Sequence, residues 1–181
     1  MRRLSCLFLF MSLALGLTAS AGEFKLEPGF TLLFNGKNFD GWQPKGKKDP
    51  LDGKTDAFKG RFKIDKNAIV IDYAVKGDSY IETAKEITGD VHLKFDFLPG
   101  AACNNDFFLR GTKFDITLKL KGVKENEWNT CEIITTGDKI EHKINGETAR
   151  KSDAKGKAST FAIRAEFGVI QVKNLRIKSG S

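Results

Sequence analysis

The chain has few of the residues on which disulfide-rich, metal-binding and redox proteins depend. Its 181 residues include 3 cysteines, 2 histidines and 4 prolines. It contains no Cys-x-x-Cys pair, no His-Glu-x-x-His sequence, no phosphate-binding glycine loop and no nucleophile elbow, so the best-defined sites of those types are excluded. The two histidines, His92 and His142, are far apart in sequence, and we expect both to face solvent on polar strand surfaces.

Long apolar runs are also missing, except at the N terminus. Two arginines precede the apolar stretch 4–17, and the small residues 19–21 follow it. This order is typical of a secretory signal peptide, so we predict a leader over 1–21 and a single domain over 22–181 that is secreted or periplasmic. A retained membrane anchor is the alternative, but the run is short for a span. No later window is apolar enough to cross a membrane, so we expect no membrane contact after cleavage.

The positive charge is not gathered into one patch. The formal net charge is +7 at pH 7, and loss of the two leader arginines lowers it to +5. The lysines are spread through predicted turns and strand exteriors without interleaved aromatic residues. This distribution favours a solvated basic surface over a nucleic-acid site, and we expect no nucleic-acid partner.

Two cysteines remain after the predicted cleavage, Cys103 and Cys131. An even number of cysteines in an oxidising compartment allows one disulfide. Two separate buried thiols are equally compatible with the sequence, because the sequence does not show whether their Cα atoms come within bonding range. Both alternatives stay open.

Apolar residues after Gly29 recur with a period of two. In the segment 91–97, for example, Val91, Leu93 and Phe95 alternate with polar residues, and a hairpin turn is expected at Asn145-Gly146. Strict alternation, with turn residues every eight to twelve positions, predicts half-buried antiparallel strands. Two such sheets packed face to face form an all-β sandwich. The segment 43–59, rich in Lys, Gly, Asp and Pro, is predicted to be a long loop.

Several short sequences occur in a recognisable order. The first is Gly29 to Trp42, in which an apolar strand leads through Asn35-Gly36 and Asp40-Gly41 to an indole. The others are Gly60-Arg61-Phe62, Phe107-Phe108-Leu109-Arg110-Gly111, Glu127-Trp128-Asn129, Asn145-Gly146, Ala165-Glu166-Phe167-Gly168 and Asn174-Leu175-Arg176-Ile177. Together they resemble the bacterial 3-keto-disaccharide hydrolase domain family over about residues 29 to 178. On the residues alone, Trp42 is best interpreted as a core anchor.

The resemblance implies an antiparallel jelly-roll β-sandwich of the concanavalin A-like lectin and glucanase type. It also implies a 3-keto sugar as the saccharide ligand. A ketone at C3 makes the C2 proton acidic, so the glycosidic bond at C1 can leave by elimination before water adds back. That chemistry needs a general base near C2 and a group that stabilises the enolate charge. A divalent metal is one group able to do so, although the sequence identifies no metal ligand.

Three places in the sequence offer suitable side chains. Asn104, Asn105 and Arg110 are candidate substrate-binding residues, since a guanidinium is a rigid multiple donor. Asp115 lies on a predicted polar strand face. Residues two apart on a strand share a side, so Arg164 and Glu166 point the same way. Glu166 or Asp115 is the predicted general base, and Arg110 and Arg164 are the predicted substrate-binding cations.

The chain departs from the family pattern in this same region. Asp115 and Arg164 stand where the family commonly has glutamine, Leu118 stands where it has aspartate, and Asn105-Asp106 replaces Ser-Gly. These differences fit a changed substrate or a lost activity. The alternatives are a non-catalytic carbohydrate-binding module, which needs exposed rings on one face, and an exported structural domain without a ligand.

Overall fold

The computed structural model describes residues 24–180, so the predicted leader lies outside the described residues. This part of the chain folds into sixteen β-strands and contains no helix. Accordingly, no helical segment in it is long and apolar enough to span a bilayer.

The first eight strands run from the N-terminal entry to the centre of the larger sheet. They are β1 Thr31–Leu32, β2 Trp42–Pro44, β3 Asp56–Ala57, β4 Phe62–Asp65, β5 Ala68–Ile71, β6 Ser79–Thr83, β7 Ile87–Thr88 and β8 Val91–Pro99. The remaining eight are β9 Asn104–Leu109, β10 Thr112–Thr117, β11 Asn129–Thr136, β12 Lys139–Ile144, β13 Glu147–Asp153, β14 Ala158–Ser159, β15 Ala162–Phe167 and β16 Ile170–Ser179.

All strand pairs are antiparallel. The large sheet has nine strands in the order β13-β12-β11-β8-β16-β5-β4-β3, with β1 also paired to β16. The small sheet has five strands in the order β10-β9-β15-β6-β2, and β14 pairs with β7. The chain crosses between the two main sheets several times, so residues distant in sequence become neighbours in the small sheet.

The two main sheets pack face to face through their apolar sides. In β8, Val91, Leu93, Phe95 and Phe97 are buried, as the alternation predicts. Phe95 of the large sheet stacks on Phe107 of the small sheet with 4.7 Å between ring centroids. Each fully buried side chain of this size contributes about 2 to 3 kcal/mol of hydrophobic stabilisation. The predicted two-sheet antiparallel β-sandwich is therefore confirmed.

Trp42 is fully buried in this core, and its indole Nε1 donates a hydrogen bond of 2.9 Å to the Leu33 carbonyl. The segment 43–59 is more regular than a loop, because it contributes to two short strands. Its turn is closed by backbone hydrogen bonds, including Leu51 N to the Trp42 carbonyl.

The expectation that both histidines face solvent is wrong for His142. Strand β12 places His142 on the same inward face as Ile140 and Ile144, and its ring stacks on Phe114 at 4.2 Å. Burial lowers the pKa of His142 to about 3, so the ring is neutral at physiological pH. His92 is partly exposed, and its Nε2 lies 2.7 Å from the Glu132 carboxylate.

The two cysteines are free thiols, which corrects the disulfide alternative. Cys131 is buried in β11 of the large sheet, whereas Cys103 is buried just before β9 of the small sheet. The Cys103 Sγ instead donates to the Ile116 carbonyl at 3.6 Å. Burial raises the pKa of Cys103 to about 11, and it raises the pKa of Cys131 as well. Both are consequently inert packing residues.

Candidate functional site

The outward face of the small sheet carries a row of charged and polar side chains. Strand register aligns Asp115 of β10 with Asp106 of β9, Asp106 with Arg164 of β15, and Arg164 with Tyr80 of β6. Because side chains alternate across a strand, the residues on either side of each of these positions point toward the core. We call the following six residues the charged cluster: Asp78, Asp106, Lys113, Asp115, Arg164 and Glu166.

Arg164 is the centre of the charged cluster. Its Nε and Nη2 contact the two oxygens of Asp78 at 2.8 and 3.0 Å. Its Nη1 lies 2.9 Å from Asp106 Oδ2 and 3.1 Å from Glu166 Oε2. The hydrogen bonds to Asp78 and Asp106 raise the pKa of Arg164, which is therefore a permanent cation. Three carboxylates are held around one guanidinium.

Asp106 and Asp115 form a carboxyl pair beside this cation. Asp106 is fully buried, and its Oδ1 has no hydrogen-bond partner among the described residues. Burial, together with the facing Asp115, raises the pKa of Asp106 to about 6. Burial also acts to raise the pKa of Asp115, but the facing Asp106 carboxyl and the Lys113 ammonium outweigh it and the pKa of Asp115 is lowered. Asp115 is thus the ionised member of the pair.

Lys113 completes the charge balance on this side. Its Nζ contacts the Asp115 carboxylate and lies 3.6 Å from Asp106 Oδ2. The Lys113 and Asp115 side chains are 47% and 39% exposed, so both are accessible from solvent. An ionised carboxylate and an ammonium group therefore stand together at the edge strand.

Aromatic rings border the charged cluster. Tyr80 and Phe108 are tilted against each other with centroids 6.0 Å apart. Lys45, from the segment predicted as a loop, places its Nζ 4.5 Å from the Phe108 ring centroid and 5.2 Å from that of Tyr80. Such cation–π contacts hold Lys45 on the outward face.

A cavity of about 310 Å³ opens next to Arg164 and Glu166. We call it the side pocket; its lining residues are Arg61, Tyr73, Lys76, Gly77, Asp78, Arg164, Ala165, Glu166 and Phe167. Two of its rings are exposed, Tyr73 by 49% and Phe167 by 62%. The side pocket thus joins part of the charged cluster to two accessible aromatic surfaces.

Arg110 does not join the residues with which it was predicted to act. It occupies the β9–β10 turn with φ of 52° and is only 2% exposed. Its guanidinium donates to the carbonyls of Gly89 and Gly137 and lies 3.8 Å from Asp90. The positive φ directs the side chain away from the strand face, so Arg110 connects loops and has no access to a ligand.

The two predicted asparagines differ from each other. Asn105 is fully buried on the inward side, which removes it from direct contact with a ligand. Its Oδ1 accepts from Glu166 N at 3.0 Å, and its Nδ2 donates to the Phe167 carbonyl at 2.9 Å. Asn105 therefore fixes the irregular end of β15 that carries Glu166. Asn104 is partly exposed at the start of β9, next to the charged cluster in the strand.

Sequence reasoning missed Asp78, Lys45 and Arg61 at this site. Arg61 is 2% exposed and donates to the carbonyls of Asp72, Val75 and Glu166, so it ties the loop before β6 to β15. In the sequence, Arg61 appeared only within Gly60-Arg61-Phe62, one of the short sequences of the family resemblance. No local signal in the sequence pairs Asp78 with Arg164.

A divalent metal does not fit this donor set. Within residues 24–180, no group of three or more His, Cys, Asp or Glu side chains is arranged to hold a metal ion. The carboxylates of the charged cluster are already engaged in contacts with Arg164 and Lys113.

Comparison with known families gives one match in sequence. The model of the 3-keto-disaccharide hydrolase family, described as the 3-keto-alpha-glucoside-1,2-lyase-like domain, matches residues 29–122. That match includes β9 and β10 of the site but ends before β15. No curated protein matches the chain in sequence.

Solved structures share the fold. A candidate glycosyl hydrolase from Parabacteroides distasonis ATCC 8503 superposes with a TM-score of 0.66 at 18% identity, covering 84% of this chain and 95% of that chain. The carbohydrate-binding module CBM66 from Bacillus subtilis gives a TM-score of 0.53 at 12% identity, and the match covers 82% of this chain and 100% of that chain. A laminarinase from Flavobacterium sp. UMI-01 gives a TM-score of 0.53 at 14% identity, and the match covers 81% of this chain and 97% of that chain. These likenesses show the jelly-roll sandwich fold.

Proposed function

Because this chain belongs to the 3-keto-alpha-glucoside-1,2-lyase-like domain family, we propose that it cleaves 3-keto-glycosides on the outward face of the small sheet. The family makes it a carbohydrate-active, glycosyl-hydrolase-like domain. The observation that carries the finer proposal is the convergence of Arg164, Glu166, Asp115 and Lys113 on one accessible face.

The proposed reaction starts with removal of the C2 proton by a carboxylate. The C–H electron pair forms the enolate, whose charge rests on the C3 oxygen. The enolate then re-forms the ketone as the C1–O bond breaks and the aglycone leaves with a proton. Water finally adds across the resulting C1–C2 double bond, its oxygen to C1 and a proton to C2. General-base catalysis and oxyanion stabilisation are the two contributions that the protein must make.

Glu166 is the preferred base because it shares the side pocket with Arg164. Arg164 donates three hydrogen bonds, two to Asp78 and one to Asp106, and its Nη1 also lies 3.1 Å from Glu166 Oε2, so not all five of its N–H donors are used and a keto oxygen can accept from it. Asp115 is the second candidate base, since it is ionised, exposed and adjacent to Lys113. Asn105 acts as a positioning residue for Glu166.

The test is incubation of the purified chain with 3-keto-trehalose or a 3-keto-glucoside, with and without divalent metal, while loss of the keto sugar is followed. We expect turnover without metal. Loss of one general base lowers the rate by a factor of about 10² to 10⁴. We therefore expect the turnover rate of Glu166→Gln to fall by that factor and the rate of Asp115→Asn to fall by less. Lys121→Gln, on an exposed loop, is the matched control. A folded wild type without turnover in either condition contradicts the proposal.

A carbohydrate-binding module is the second candidate. Tyr73 and Phe167 are exposed beside polar groups in the side pocket, as a stacking platform requires. Under this alternative, unoxidised saccharides bind and Phe167→Ala lowers their affinity. The wild type then shows no turnover of keto sugar, so Glu166→Gln has no effect on a rate. The enzyme and module proposals therefore differ in whether keto sugar disappears.

We also propose that the chain acts after export, in the periplasm or outside the cell. The support is the leader-like sequence of residues 1–21. N-terminal sequencing of protein recovered from the medium or periplasm is expected to begin at Gly22.

A further inference from the structure

We propose that the side pocket binds an anionic sugar residue, one that carries a carboxylate or a sulfate. This inference rests on the proposed function only in taking a saccharide as the ligand. It adds a charge requirement to the part of the ligand next to the charged cluster.

The side pocket has more cations than its own carboxylates neutralise. Its lining includes Arg61, Lys76 and Arg164 as cations, against Asp78 and Glu166 as anions. Both anions are in contact with Arg164, at 2.8 and 3.1 Å. Among the described residues, neither Arg61 nor Lys76 has a carboxylate oxygen within 4.0 Å, and the lining residues together carry one net positive charge.

Of these two cations, Lys76 is exposed and can contact a ligand directly, whereas Arg61 acts on the side pocket only through its charge. It is 98% buried, its guanidinium is bound by three backbone carbonyls, and its Nε has no hydrogen-bond partner among the described residues. Burial lowers the pKa of Arg61, which reflects the cost of holding a charge away from water. An anion in the side pocket would offset that cost, whereas a neutral sugar would leave it unchanged.

The other walls fit a single pyranose ring. A volume of about 310 Å³ is at the lower end of the range of ligand pockets, roughly 300 to 1,000 Å³. Tyr73 and Phe167 present apolar ring surfaces for the C–H face of a sugar. The Lys76 Nζ lies 5.7 Å from the Tyr73 ring centroid, so a cation stands at the rim of the stacking surface. A ring that stacks there places an acidic substituent within reach of Lys76.

The experiment compares three probes by NMR titration: methyl β-glucuronide, glucose 6-sulfate and methyl β-glucoside. We expect the two anionic probes to bind about fivefold more tightly than the glucoside at low salt, the effect of one partly exposed ion pair. The difference is expected to shrink at high salt, where charges are screened. A preference for only one anionic probe identifies the acidic group as a carboxylate or a sulfate.

Two variants locate the binding. Lys76→Gln is expected to lower the affinity for the two anionic probes to that for the glucoside. Phe167→Ala is expected to lower the affinity for all three probes. Lys121→Gln, whose side chain is 82% exposed on a distant loop, is expected to change nothing. Equal affinities for the three probes, binding unaffected by Lys76→Gln, or no binding of any probe overturns the inference.

None of these measurements requires turnover, so this inference and the proposed reaction fail separately. If the anionic probes bind and 3-keto sugars are stable, the reaction is wrong and the pocket assignment stands. If 3-keto sugars are cleaved and neither anionic probe binds more tightly than the glucoside, the pocket assignment is wrong and the reaction stands.

Discussion

The buried carboxyl group of Asp106 is expected to make the protein less stable as the pH rises from about 4 to about 6. Burial raises the pKa of Asp106 to about 6 in the folded chain, from an ordinary value of 3.8. Between these values the folded state binds more protons than the unfolded state, so the free energy of unfolding decreases with pH. The stabilisation is complete below the unfolded pKa and lost above the folded one.

The size of the effect follows from the shift itself. A rise of about two pKa units corresponds to about 3 kcal/mol, since each unit is worth about 1.4 kcal/mol. The lowered pKa of Asp115 acts in a different window, because its stabilisation is present above 3.8 and is lost only at lower pH. Between pH 4.5 and 7, the pair is therefore expected to report mainly the titration of Asp106.

The perturbation that tests this is Asp106→Asn, which keeps the shape of the side chain but removes its titration. Urea unfolding at intervals from pH 4.5 to 7.5 measures the free energy of unfolding of both proteins. We expect the wild type to lose about 2 kcal/mol relative to the variant across this range, because part of the full effect is already lost between pH 3.8 and pH 4.5. Asp138→Asn, on an exposed turn, is the control and should run parallel to the wild type. If the curve of unfolding free energy against pH for Asp106→Asn also runs parallel to that of the wild type, the raised pKa of Asp106 beside Asp115 is refuted.

Three further predictions follow from single contacts. Arg110→Ala leaves two loop carbonyls without their buried cation, so we expect the free energy of unfolding in urea to fall by about 3 kcal/mol. The affinity for sugar probes is expected to stay the same. A loss of affinity without a loss of stability would show that Arg110 binds the ligand after all. Gly168→Ala is expected to lower the free energy of unfolding by about 3 kcal/mol or more, and the melting temperature with it, because φ is +67° and a Cβ would lie 2.2 Å from a backbone carbonyl oxygen of the facing loop. Gly53→Ala, where φ is also positive but nothing lies within 4 Å, is the milder control. Cys103 and Cys131 are expected to react with a thiol reagent only in denaturant, as two thiols per leader-free chain, and a chain without titratable thiols would contradict the free-cysteine assignment.

The alternation of side chains within each strand was enough to predict the sandwich. In β8 the buried and exposed positions follow the period of two from Val91 to Phe97, and β12 and β13 meet at the predicted turn Asn145-Gly146. These features depend on neighbouring residues, because side-chain direction on a strand and turn geometry are local properties. The same rule explains the prediction that Arg164 and Glu166 share a face.

Local reasoning failed where a residue stands at a turn or an irregular strand end. Arg110 was predicted to bind substrate, but a positive φ at the β9–β10 turn sends it into the loops. Asn105 was assigned to the same role, and it lies inward, where it holds the register shift in β15. His142 was taken as polar surface because of its residue type, although its strand position was apolar.

The sequence by itself determined the strands, their buried faces and the family. Only the tertiary structure decided which charged residues meet, because the strand order β10-β9-β15-β6 sets side by side residues that are far apart along the chain. Asp106 and Arg164 are neighbours through that order alone, and the raised pKa of Asp106 is a consequence of the burial it produces. Pairing between strands and the desolvation that accompanies it are long-range properties, which no window of sequence contains.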